Sequence, residues 1–168
     1  MGLNLQGRTI QRHRVPDHTR RKRTRQPTMI CVHATRGQTS MDKQFQATVN
    51  WFTQAPNFGG FGPAADILIG ASGETAEFFS DAGDWEISHA TWAAGYGSDP
   101  DSEWAVDEVA ISIELAQPDD DTQFTSACID AFVDVARALC LKYGIPANRV
   151  QFLDQRRDWA PPKGLTGH

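Results

Sequence analysis

Long apolar runs are missing from this 168-residue chain. No stretch of 18 or more apolar residues occurs, and the N-terminus has no apolar signal-peptide core, so neither a membrane-spanning helix nor a standard secretory leader is expected. Cysteines are scarce: Cys31, Cys128 and Cys140 form an odd set without close spacing. That argues against a disulfide framework and against a cysteine-based zinc knuckle, and leaves the three as core thiols. Internal repeats are absent too. What the chain does have is 40% apolar residues and five tryptophans. At this length that suffices to bury about two-thirds of the unfolded surface around one core, so a single folded domain is expected.

The net charge of -5 conceals an asymmetry. Arg8, Arg12, Arg14, Arg20, Arg21, Lys22, Arg23 and Arg25 crowd the first 26 residues against one acid, Asp17, and the remainder is strongly acidic. A basic, apolar-poor leader cannot build a core, so residues 1–27 read as a disordered arm ahead of a domain over 28–168. Such an arm could touch nucleic acid, anionic lipid or an anionic wall polymer, or simply be a solvated tail, because "RRKRTR" by itself specifies no partner.

Beyond Pro27, "TMICVHAT" has the β-branched character of a buried strand. Ser40 is a fair N-cap for a helix through "MDKQFQATVNWFTQ", whose Met41, Phe45, Val49 and Phe52 recur at three- and four-residue spacing. "ADILIGASGETAEFF" reads as a hairpin around Gly73, and residues 80–107 as a long surface loop. "DEVAISIEL" is a strand with Val109, Ile111, Ile113 and Leu115 on one face and Ala110, Ser112 and Glu114 on the other. A helix follows from about Phe124 to Tyr143, with an acidic start suited to the helix dipole and Gly144 and Pro146 to stop it. This order predicts an α/β fold, a mixed central sheet flanked by helices.

Four residues stand out chemically. His33 ends the first core strand, with Thr35 on its face. A strand histidine alone is more often structural, but His89 lies in the tryptophan-flanked "ISHATWAAG", His168 follows "GLT", and Glu114 sits on a strand otherwise built for burial. A desolvated carboxylate without a partner costs several kcal/mol or takes a raised pKa. Glu114 therefore either pairs with an arginine, faces solvent at an edge, or serves as a general base beside a metal.

The ordered segments "ICVHAT", "ADILIGASGETAEFF", "ISHATWAAG", "VAISIEL", "KYGIP" and "GLTGH" resemble those of the type-2 N-acetylmuramoyl-L-alanine amidases, the zinc amidase and peptidoglycan recognition protein superfamily that includes many phage endolysins. The resemblance covers roughly Met29 to His168. It implies Zn2+ as cofactor, His33 and His168 as metal ligands, and Glu114 as the catalytic carboxylate. It further implies that Thr35, His89 and Trp92 border the substrate cleft, and that peptidoglycan is the partner of a monomeric, bacteriolytic hydrolase. No specific nucleic acid and no membrane insertion are expected. Without a signal peptide, an endolysin of this kind would wait in the host cytoplasm until released to the wall.

Two departures accompany the resemblance. Ala65 and Asp66 stand where many relatives carry an aromatic-His pair. The family's third zinc ligand, an Asp or Cys, lies several residues past the second histidine, and this sequence ends at His168. The expectation is thus a C-terminally incomplete amidase domain whose third ligand lies beyond the last residue. Neither Lys163 nor Asp154 or Asp158 has the sequence context of the missing groups. Two imidazoles alone hold zinc weakly, so a non-catalytic muropeptide-binding module of the same fold is the alternative. A nucleic-acid-binding protein driven by the arm is a third class, whose binding would fall steeply with salt.

Overall fold

The computed structural model describes residues 5, 7–17, 20–22, 26–37, 39–56, 65–79, 86–88, 109–119, 121–148 and 164–167. Its strands are β1 (Ile10–Arg14), β2 (Arg20–Lys22), β3 (Met29–Ala34), β4 (Ile67–Ile69), β5 (Thr75–Phe79), β6 (Glu86–Ser88), β7 (Ala110–Leu115) and β8 (Gly164–Gly167). Two helices, α1 (Met41–Thr53) and α2 (Ser126–Tyr143), complete the described elements.

Six strands form one sheet in the order β1-β5-β4-β7-β3-β8, while β2 and β6 pair antiparallel in a separate ribbon. Within the large sheet β4 and β5 are antiparallel, and β1, β7, β3 and β8 each join a parallel neighbour. The expected mixed sheet with flanking helices is what the structure shows, because the central strands are apolar on both faces and each face needs a cover. On one face Ile30, Ile67, Ile69, Ile111, Ile113 and Leu115 pack with Cys128, Ala131, Val135 and Leu139 of α2. On the other, Leu68, Ala76 and Phe78 meet Phe45, Val49 and Phe52 of α1. Phe52 meets Phe78 edge-on at 5.1 Å, a geometry worth about 0.5–1.5 kcal/mol beyond area burial.

The helices follow their sequence signals with local differences. Ser40 occupies the N-cap of α1 without a side-chain cap bond. The second helix begins two residues later than Phe124 because Thr125 is its cap, accepting from the Cys128 N–H at 3.1 Å. No acid lies in its first turn. Asp119 instead closes its own turn, accepting from the Asp121 and Thr122 amides and the Thr122 hydroxyl. Gly144 ends the helix in the left-handed conformation, as expected. The β4–β5 turn also forms as expected, with Gly73 at φ 82°. Among the described residues no helix is long and apolar enough to cross a membrane.

The expectation of a disordered arm over residues 1–27 is corrected for Ile10–Arg14 and Arg20–Lys22, which are strands. Averaged charge hid the apolar anchors: Leu5 and Val15 are buried and Ile10 packs against the core. The cations find acids on the domain itself. Arg12 pairs with Glu77 at 3.2 Å and lies over the Phe79 ring, and Arg8 pairs with Asp134 at 2.7 Å. A basic edge strand also discourages pairing with a further chain.

Candidate active site

The parallel pairing of β3 with β7 places His33 opposite Glu114. On the other side of β7, Leu68 of β4 is the register partner of Glu114. Both candidate side chains project from the α1 face of the sheet, by the alternation that sends Ile111, Ile113 and Leu115 toward α2. The β4–β7 register is pinned just before Glu114. The Asp66 carboxylate accepts from the Ser112 N–H at 2.8 Å and from its hydroxyl at 3.1 Å. In the place where many relatives carry an aromatic-His pair, this chain therefore has a strand clamp, with Ala65 buried behind it.

Glu114 contributes to a cleft of about 460 Å³ together with Thr35, Gly37, Gln44, Ala47, Thr48, Trp51 and Phe52. Its Oε2 is shielded from solvent and meets no hydrogen-bond partner among the described residues. Burial pushes the Glu114 carboxyl up to about 8, since a low-dielectric site penalises the charged form. His33 is buried, and its Nε2 lies 3.2 Å from the Cys31 Sγ on the same strand face. That contact holds the ring, as the neighbours of ligating imidazoles commonly do.

An imidazole and an uncompensated carboxylate on adjacent strands fit a divalent cation. Nitrogen and oxygen donors suit zinc, and positive charge relieves the desolvation of Glu114. Among the described residues no three His, Cys, Asp or Glu side chains gather as a metal group. His168, the expected second ligand, lies outside the described residues, as do His89, Trp92, Asp154, Asp158 and Lys163. The strand just before His168 is described: β8 runs parallel to β3, with Val32 opposite Gly167.

Thr35, expected at the substrate, is one of the residues lining this cleft. Its hydroxyl is already engaged, however, donating to the Gln117 carbonyl at 3.0 Å and accepting from the Gln117 N–H at 3.1 Å and from Gln44 Nε2 at 2.8 Å. Sequence reasoning missed the α1 wall. Gln44 and Thr48 form a buried polar row beside the apolar stripe, and Trp51, 51% exposed, stands at the rim. The available signal was the four-residue spacing of Gln44 with Thr48 and of Ala47 with Trp51, next to but off the core stripe.

Gly37 is required by this wall. A Cβ there would come within 2.2 Å of Gln44 Nε2, and that amide is buried and hydrogen-bonded. Gly37→Ala is expected to destabilise the protein by about 1–3 kcal/mol through overpacking and lost hydrogen bonds. Urea denaturation checks this, and an unchanged midpoint would show that Gln44 can move aside freely.

Comparison with known proteins places this geometry in context. Residues 23–168 match the profile of the family described as N-acetylmuramoyl-L-alanine amidase. Among solved structures, the chain is similar to PlyL (TM-score 0.57, 15% identity, covering 95% of this chain and 80% of that one). It is also similar to the endolysin amidase LysCS from Clostridium intestinale URNW (TM-score 0.56, 14% identity, 99% and 83% covered). AmpD from Citrobacter freundii matches at a TM-score of 0.52 with 23% identity, covering 95% and 77%. At these identities the likeness concerns the fold. No curated protein sequence matches the chain. With the family profile spanning nearly the whole of the domain and the sheet, helices and cleft arranged as described, the chain belongs to the N-acetylmuramoyl-L-alanine amidase family.

Proposed function

We propose that the protein is a zinc-dependent amidase that cleaves the bond between N-acetylmuramic acid and L-alanine in peptidoglycan, and so lyses cell wall. The observation that carries this reading is the solvent-shielded Glu114 Oε2, without a hydrogen-bond partner among the described residues, on the strand next to His33 and lining an open cleft. His33 and His168 would hold the ion. The support for His168 is the pairing of β8 with the strand that bears His33. A third ligand is assigned to none of the described residues. His89 and Trp92 are given a place at the substrate on the family resemblance, and Trp51 adds an exposed ring at the cleft rim.

A zinc ion held there would supply Lewis acidity for the scissile carbonyl and for water. The chain's own residues do the rest. Glu114 takes the proton of the attacking water onto its carboxylate as the new C–O bond forms. It then passes that proton to the L-alanine nitrogen as the C–N bond breaks, leaving a lactyl carboxylate and a free amine. Burial raises the proton affinity of the Glu114 carboxyl, which suits it to accept a proton, and a bound cation would favour its ionised form before the transfer.

Chelation tests the reading. Metal-stripped protein is expected to lose hydrolysis of purified peptidoglycan and to regain it on addition of zinc. Undiminished cleavage after complete removal of metal would refute the zinc dependence. Binding of muropeptide with zinc present but no turnover would favour the binding-module alternative.

A further inference from the structure

Gln44 is a buried polar side chain that the chemistry above does not use. Only 2% exposed, it lies on α1 and bonds to Thr35, Thr39 and, one helical turn on, Thr48. Its Nε2 donates to Thr35 Oγ1 at 2.8 Å and lies 3.4 Å from Thr48 Oγ1, and its Oε1 accepts from the Thr39 hydroxyl. The hydroxyl protons determine which way the amide faces. Thr48 spends its proton on the Gln44 backbone carbonyl at 2.9 Å, and Thr35 spends its own on the Gln117 carbonyl at 3.0 Å. Each hydroxyl has one proton to give. Both therefore accept from Gln44, so the nitrogen faces Thr35 and Thr48 and the oxygen faces Thr39.

Thr35 Oγ1 is a joint between two strand ends. Thr35 follows His33 by two residues, just past the end of β3, and Gln117 follows Glu114 by three, two residues past the end of β7. Through this one oxygen the end of β3 both donates to and accepts from the Gln117 backbone, next to the ladder bond from the Thr35 N–H to the Leu115 carbonyl at 3.1 Å. Gln44 supplies the third bond to that oxygen. The space its amide occupies is kept open by Gly37, where no side chain fits without displacing it.

We infer that Gln44 is a positioning residue, which fixes the Thr35 hydroxyl across the ends of β3 and β7 and so holds His33 and Glu114 in working register. The inference rests on the reading of His33 and Glu114 as metal ligand and base. Its chemistry is specific. Gln44→Met keeps the length but removes the donor, whereas Gln44→Glu sets an acceptor against two hydroxyl oxygens that have no proton left for it.

The test measures kcat, KM and zinc affinity separately for the protein and for both variants. Loss of an interaction behind a metal ligand typically costs about 10–100-fold in affinity or activity. Both variants are expected to lose about that factor in kcat per bound zinc and in zinc affinity, with KM changed less than about twofold. In a Thr35→Val background, Gln44→Met should add less than about twofold, because the two act through one joint. Unchanged kcat and zinc affinity with a lowered Tm would show a merely structural role and overturn the inference. If Gln44→Met does not fold, Thr35→Val breaks the same joint, and wild-type kcat and zinc affinity in it would also overturn the inference. Hydrogen exchange at the Gln117 amide of the metal-free protein separates the two readings. Protection lowered about tenfold or more in Gln44→Met upholds the joint even if the protein proves to be no amidase, and unchanged protection refutes it.

Discussion

Glu114→Gln is expected to lower amide hydrolysis by about 10²–10⁴-fold, the range spanned by a positioned general acid–base group. The substitution keeps the shape of the side chain and removes its proton-transfer capacity, so substrate binding should change far less than kcat. A second signature follows from the same burial. The carboxyl titrates near 4.5 when unfolded and is pushed up to about 8 in the fold. Between those values the native state binds a proton that the unfolded state does not, so stability must fall as pH rises. The stabilising protonated state is fully present below about 4.5, and its contribution is lost as pH climbs toward and through about 8. The slope approaches about 1.4 kcal/mol per pH unit at most. Urea midpoints of the metal-free protein across this window should show the decline, and Glu114→Gln should flatten it. An undiminished slope in the variant would mean that another group carries the titration.

His33→Ala is expected to have an effect of similar size on activity by a different route. Removing one of so few protein ligands should weaken zinc binding by about 100-fold or more, because affinity depends on ligand number and on a preformed geometry. The small cavity left at a buried position should cost only about 1–3 kcal/mol, so the metal-free fold should persist by circular dichroism. Competition with a chromophoric chelator reads the affinity directly. Wild-type zinc affinity in this variant would remove His33 from the site and with it the proposed chemistry. The pair of substitutions also divides the roles: Glu114→Gln should retain zinc while losing turnover, and His33→Ala should lose both.

The strands and helices that build the site were legible because each has a clean local signal. Alternation along β7 places Glu114 on the face opposite Ile113 and Leu115, and that mismatch marked it before any neighbour was known. The three- and four-residue stripe of α1 gave the helix and its core face. Pairing was harder to read. His33 meets Glu114 only because β3 lies beside β7, a contact between distant parts of the chain that no local pattern encodes. The bond from the Thr35 hydroxyl to Gln117 was equally illegible, because its partner lies 82 residues away. Gln44 carried no signal of its own for the same reason: its contacts depend on Thr35 and Gly37 lying against its amide. The N-terminal strand was obscured by its own charge, since eight cations outweighed Leu5, Ile10 and Val15 in any average over the segment. His168, His89 and Trp92 rest on the ordered family motifs.

The most direct measurement is the identity of the bond that is cut. Purified peptidoglycan digested by the zinc-loaded protein should yield, by mass spectrometry, stem peptides with a free L-alanine amino terminus and glycan strands ending each muramic acid in an intact lactyl carboxylate. Intact amide linkages after digestion, or fragments arising from glycosidic cleavage or from cuts within the stem peptide, would contradict the account.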